Sequence, residues 1–129
     1  MELSSALKRI VRREIGAPGE PTLTQFRMLA AIRRGVRHVG GLSQEFGVSQ
    51  PAASIMVSAM SRAGFIKKAA RAEDRRRVEL RLTAKAEKSL DTAYARAFSS
   101  LDRRLASLSA SRREELGRRA RELTRLLSS

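Results

Sequence analysis

Gly47-Val48-Ser49-Gln50-Pro51-Ala52-Ala53-Ser54 is the stretch on which the fold turns. Gly47 stops whatever helix precedes it. Ser49 offers a side-chain oxygen to the first free amides of a new helix, and Pro51 is tolerated because it falls in the first turn. Downstream, Ala53, Met56, Val57 and Met60 recur at helical spacing as an inner stripe, and Gly64 is a natural residue just past the helix end. Upstream, Val39 to Val48 reads as a short helix with Leu42 and Phe46 turned inward. Two short helices joined by Gly47-Val48-Ser49 have the layout of a helix-turn-helix.

Working outward, the period changes after Gly64. Phe65-Ile66-Lys67-Lys68 begins a strand, and Val78, Leu80 and Leu82 alternate with Arg77, Glu79 and Arg81 to make a second. Arg71-Ala72-Glu73-Asp74-Arg75-Arg76 is the polar tip between them. A basic hairpin directly after a helix-turn-helix is a wing. On the N-terminal side, Thr22 and Gln25 predict a capping box ahead of Phe26, Leu29, Ala30 and Ile32, and Gly35 ends that helix. Leu3, Leu7, Ile10 and Val11 predict an amphipathic helix over residues 3–15, broken by Gly16-Ala17-Pro18-Gly19. From Thr83 the chain is helical again to about Leu108, with Leu90, Tyr94, Ala97, Leu101 and Leu105 in its stripe. Ser109 or Ser111 caps the last helix, whose stripe is Leu116, Ala120, Leu123 and Leu127. The expected fold is mainly α with a small β-hairpin. The stripes at Leu3, Leu7, Leu101, Leu105, Leu123 and Leu127 are more than a small domain can cover. They call for packing against one another or against a second chain.

Composition narrows the function. The 129 residues suit one domain and hold 27 Lys and Arg against 13 Asp and Glu, a net charge of +14. Such an excess points to a polyanion. There is no Cys, which removes disulfides and thiolate metal sites and fits a reducing cytoplasm. No apolar run approaches the roughly 18 residues of a membrane span, and Met1-Glu2-Leu3-Ser4-Ser5 lacks a signal-peptide core, so the protein reads as cytoplasmic and without a membrane partner. No nucleophile–base set, metal cluster or Gly-rich phosphate loop is visible; the reading is not an enzyme, with no cofactor and no metal. His38, the one histidine, has no carboxylate or thiolate neighbour in sequence that would make it a ligand.

The outer face of the second helix-turn-helix helix offers Gln50, Pro51, Ser54, Ile55 and Ser58, none of them charged. Gln pairs bidentately with adenine, Ser serves several bases and Ile packs on a thymine methyl, which favours a site rich in A·T pairs. Arg75, Arg76 and Arg77 at the hairpin tip suit a narrow minor groove. Lys67, Lys68, Arg33, Arg34 and Arg37 are candidate phosphate contacts.

In this order and spacing, Thr22-Leu23-Thr24-Gln25-Phe26, Gly47-Val48-Ser49-Gln50-Pro51-Ala52-Ala53-Ser54, Arg62-Ala63-Gly64-Phe65-Ile66-Lys67, Asp74-Arg75-Arg76 and Leu82-Thr83 resemble the multiple-antibiotic-resistance-regulator (MarR) family of winged-helix transcription factors. The resemblance runs from about Thr22 to Leu127. It implies a winged helix-turn-helix part over residues 22–83, flanked by dimerisation helices over 1–15 and 84–129. It further implies a homodimeric regulator, read here as a repressor, on a palindromic double-stranded DNA operator, often with relief by a small-molecule effector. By the same resemblance Asp74 pairs with Arg76 and shapes the wing. Ile55 departs from the family, standing where many members carry a polar or basic residue, and Ala86 stands where a Gly usually follows the Leu-Thr pair.

Other readings of the charge remain beside this one: a basic RNA-binding or nucleoid-associated structural protein, and a membrane-surface protein. The wing and capped recognition helix suit B-DNA, whose major groove admits a helix where that of A-form RNA does not.

Overall fold

The computed structural model describes residues 17–70 and 78–127, together with Arg9, Arg12, Arg13 and Ile15. Arg9, Arg12 and Arg13 have helical backbone. Leu3 and Leu7 on the expected first helix, and Asp74, Arg75, Arg76 and Arg77 at the hairpin tip, lie outside the described residues.

Helix α1 spans Leu23–Arg34. Its start is the expected capping box: Thr22 Oγ1 accepts from the Gln25 amide at 3.3 Å, and Gln25 Oε1 accepts from the Thr22 amide at 2.9 Å. Gly35, at φ 119°, ends it by donating back to Ala31 and Ile32. Beyond the expected face, Met28 and Ala31 are also buried, so α1 is enclosed on most sides and forms the centre of the core.

Helices α2 (Val39–Phe46) and α3 (Gln50–Arg62) pack on one another. The turn between them closes through Gly47 in the left-handed region at φ 61° and through Ser43, whose hydroxyl donates to the Val48 carbonyl at 2.7 Å. Strands β1 (Ile66–Ala70) and β2 (Val78–Leu82) pair antiparallel, with Ile66 opposite Leu82 and Ala70 opposite Val78. Leu80 is fully buried, and its amide donates to the Arg37 carbonyl at 2.7 Å, tying the hairpin to the link between α1 and α2. Leu42, Val57, Met60, Phe65, Ile66, Leu80, Ala86, Leu90 and Ala93 complete the core around α1.

Helix α4 spans Ala84–Leu105 and α5 spans Ala110–Leu127. The sequence pattern carries α4 to about Leu108. The helix stops at Leu105 because the serines around Leu108 favour turns and caps over helix interiors. Of the two expected caps for α5, Ser109 is the one used: its hydroxyl accepts from the Arg112 amide at 3.3 Å. The core reaches along α4 only through Ala93, with Ser100 the one further buried residue on that helix, and no described side chain of α5 is buried. Exposed on these two helices are Phe98, Leu101, Leu116, Leu123 and Leu126.

The two glycines in the first turn of α2 make opposite predictions. A methyl on Gly41 would lie 2.9 Å from Val36 Cγ1 and 3.1 Å from His38 Cε1, whereas one on Gly40 meets nothing closer than 3.5 Å. Gly41→Ala should therefore cost about 1–3 kcal/mol in urea unfolding through overpacking. Gly40→Ala should be neutral or gain up to ~1 kcal/mol from helix propensity. Equal midpoints for Gly41→Ala and wild type would show that Val36 yields freely.

Candidate nucleic-acid interface

Helix α3 is aimed by its two ends. At its N-terminus the Ser49 hydroxyl accepts from the Ala52 amide at 3.3 Å, leaving Gln50 and Pro51 in the first turn. At its C-terminus the released carbonyls are taken by the start of α4. Lys85 Nζ donates to the Ala63 carbonyl at 2.8 Å, and Thr83 Oγ1 donates to the Gly64 carbonyl at 2.6 Å. Lys85 also lies over the Phe65 ring, 4.5 Å from its centroid. Sequence reasoning assigns this role to neither Thr83 nor Lys85. The available signal is a Lys close to carbonyls that a helix end leaves unpaired, but the two partners lie 22 residues apart.

One face of α3, with Ala53, Val57 and Met60, is fully buried. Positions 50, 51, 54, 55 and 58 fall on the opposite face by helical geometry. The structure brings Gln50, Pro51, Ser54 and Ile55 together there as exposed residues; Ser58 is half-buried. Ile55 is 68% exposed, an aliphatic side chain left in water at the middle of that face. The Gln50 amide comes close to α2, where Gly40 leaves it room.

His38 has a definite task that its sequence neighbours do not reveal. It is the N-cap of α2, its Nδ1 accepting from the Gly41 amide at 2.9 Å. It replaces the usual Ser, Thr, Asp or Asn, which is why residue type gives no signal.

The candidate phosphate contacts divide. Lys67 and Lys68 are both exposed on β1, but successive strand residues leave from opposite faces. Lys67 shares a face with Arg81, its cross-strand partner, and Lys68 shares the face of Leu80. The three arginines near α1 are engaged with carboxylates. Arg33 Nη2 bonds Asp91 at 2.8 Å and its Nε lies 3.6 Å from Glu87. The Asp91 hydrogen bond, with the charges of both acids, holds the guanidinium above its ordinary value against a smaller desolvation effect. Arg34 pairs with Glu45, and Arg37 Nε lies 4.0 Å from Glu79, which also takes Arg81 at 3.1 Å. These pairs link α1 to α4, α1 to α2, and the α1–α2 link to β2. Being exposed, each adds little to stability, but each removes positive charge from the free surface.

Of the residues expected to dimerise, those on α4 and α5 whose side chains are described are exposed or partly so. Leu101 is 39% and Leu123 55% exposed, Leu105 is half-buried, and Leu127 is the last residue of α5. Phe98 and Leu126, outside the stripes expected from sequence, are more exposed than Leu101 and Leu123, at 65% and 68%. Tyr94 is anchored at one edge by a T-shaped contact with Phe26, 5.4 Å between centroids. Among the described residues no group of three or more His, Asp or Glu could hold a metal ion, and no helix is long and apolar enough to cross a membrane.

Residues 21–77 match the sequence model of the MarR family. No curated protein matches the chain in sequence. Among solved structures, a MarR family protein from Bacillus stearothermophilus superposes with a TM-score of 0.88 at 22% identity, over 99% of this chain and 89% of that one. The apo form of wild-type MarR from E. coli gives 0.73 at 18% identity, over 95% and 91%. A mutant of MepR from S. aureus, bound to an oligodeoxyribonucleotide, gives 0.70 at 20% identity, over 98% and 91%. The family match covers the helix-turn-helix and the first strand of its wing, the fold match covers nearly the whole chain, and the chain is similar to the MarR family in sequence over its winged helix-turn-helix part and has the fold of the MarR family proteins it superposes on.

Proposed function

We propose that the protein is a transcriptional repressor that binds a palindromic operator in double-stranded DNA as a homodimer. The observation that carries this reading is the exposed, uncharged face of Gln50, Pro51, Ser54 and Ile55 on a helix whose other face is locked into the core. Such a face is useless for general attraction to phosphate but suited to base edges in a major groove. The attraction comes from elsewhere, from a chain with 27 basic and 13 acidic residues. In this reading Lys67 and Lys68 flank the groove, and Arg75, Arg76 and Arg77, shaped by Asp74, enter the adjoining minor groove. The uncovered apolar side of α4 and α5 joins two copies, so that two α3 helices meet successive major grooves about 10 base pairs apart.

Selection of bound duplexes from a random pool, followed by sequencing, tests all of this together. The expected product is an inverted repeat rich in A·T pairs; enrichment of no motif, or of RNA in a parallel pool, would overturn the reading. Within the selected operator, Gln50→Ala should relax preference at one position per half-site. It should cost about 1–3 kcal/mol per half-site, the worth of one good bidentate pair with a base, and leave binding to scrambled DNA unchanged. An equal loss on both DNAs, measured at one salt concentration, would mean that another element lies in the groove.

A further inference from the structure

We propose that the recess between Arg13 and the distal part of α4 binds a small oxyanion carrying two or more negative charges, such as a phosphorylated or polycarboxylate metabolite. The recess has a volume of about 330 Å³ and is lined by Arg13, Ser100, Arg103 and Arg104. Ser100, Arg103 and Arg104 stand at i, i+3 and i+4 on one face of α4, and Arg13 closes the recess from another segment. Ser100 is 5% exposed, the one buried polar side chain among the described residues.

What marks this recess is that three arginines line one cavity. Arg33, Arg34, Arg37, Arg81, Arg96, Arg112 and Arg119 each sit against a carboxylate. None of Arg13, Arg103 and Arg104 forms an ion pair among the described residues, yet the three share one cavity. Cations brought into one cavity repel one another, and an anion between them removes that repulsion. Guanidinium forks match phosphate and carboxylate oxygens bidentately, and a serine hydroxyl can add one more donor. Walls of three cations and a hydroxyl give a purely apolar ligand little to hold, and the volume lies at the low end of small-molecule sites, about 300–1,000 Å³. Ser100 is also 17 residues beyond Thr83, or about 25 Å along a straight helix, so a DNA phosphate held at the hairpin is not the occupant.

The test titrates the full chain by calorimetry with pyrophosphate and citrate as probes, at constant ionic strength, with acetate for comparison. The expected result is saturable binding, one site per chain, with acetate much the weakest. Arg103→Gln and Arg104→Gln should each weaken it about ten-fold or more, the loss of a charge-assisted pair. Arg118→Gln, an exposed arginine on α5 outside the recess, should leave it unchanged. Unsaturable binding, or an equal loss in Arg118→Gln, would overturn the proposal in favour of diffuse attraction to a basic surface. So would an absence of anion binding in which Arg103→Gln or Arg104→Gln instead shifts sedimentation toward monomer, since the recess would then hold carboxylates of a second copy. The assignment does not rest on DNA binding: a chain that takes pyrophosphate but no duplex leaves it intact.

Discussion

A chain carrying Leu105→Glu and Leu123→Glu together should sediment as a monomer, and its operator affinity should fall by about 100- to 10,000-fold, the range expected when two linked binding units are separated. The argument begins with what α5 lacks. It is a helix of 18 residues, no described side chain of which is buried. In proteins most helical stability comes from packing an apolar face rather than from the helix itself. The face exists: Leu116, Leu123 and Leu126 on α5, with Phe98 and Leu101 on α4, all exposed in the single chain. Each such side chain gains roughly 1.5–3 kcal/mol when fully covered. Glu at two positions on these helices replaces that gain with the cost of burying charge. The winged half has its own core around Met28, Leu29, Ile32, Leu42, Met60 and Leu80, none of which the substitutions touch. The variant should accordingly keep a cooperative unfolding transition and its weak binding to scrambled DNA. A stable dimer that still holds the operator would remove the terminal helices from the interface.

Much of this architecture is legible in the sequence because local chemistry and global fold agree in the winged half. Thr22 with Gln25, Gly35, Gly47 and Ser49 are punctuation that only one backbone path satisfies, and every one of them does in the structure what its residue type suggests. The exposed face of α3 is legible for the same reason. Once Ser49 fixes the start of α3 and Ala53, Val57 and Met60 fix its buried side, the exposed side follows from the helical period. Less legible are interactions between residues distant in sequence. Arg33, Arg34 and Arg37 look like free cations in a string of letters; only the fold brings Asp91, Glu45 and Glu79 to them. Lys85 at the Ala63 carbonyl, and the shared recess of Arg13 with Arg103 and Arg104, are of the same kind. His38 is hidden for a different reason, because its imidazole takes the place of a hydroxyl or carboxylate.

The other large effect belongs to Ile55. Ile55→Glu should reduce operator binding by about 100-fold or more, some 2.7 kcal/mol, while leaving stability within about 0.5 kcal/mol of wild type. The second half follows from exposure. At 68% exposed, Ile55 contributes little to the core, and glutamate is a good helix former. The first half follows from position. Residue 55 lies one turn beyond Pro51 and next to Ser54, the one strongly aliphatic point on an otherwise polar face. A carboxylate placed there would enter a groove walled by phosphates, so repulsion adds to the missing apolar packing. Ile55→Val, which removes one methylene, should cost less than about 1.4 kcal/mol, a factor of ten. A second measurement separates methyl recognition from mere repulsion. Replacing the operator thymines one at a time by deoxyuridine deletes the methyl group and keeps every hydrogen bond. One such replacement per half-site should weaken the wild type several-fold and leave Ile55→Ala unaffected, since the partner of that methyl is already gone. If no thymine behaves in this way, Ile55 faces the groove without reading it. If Ile55→Glu binds the operator as tightly as wild type, this face of α3 is not in the groove at all.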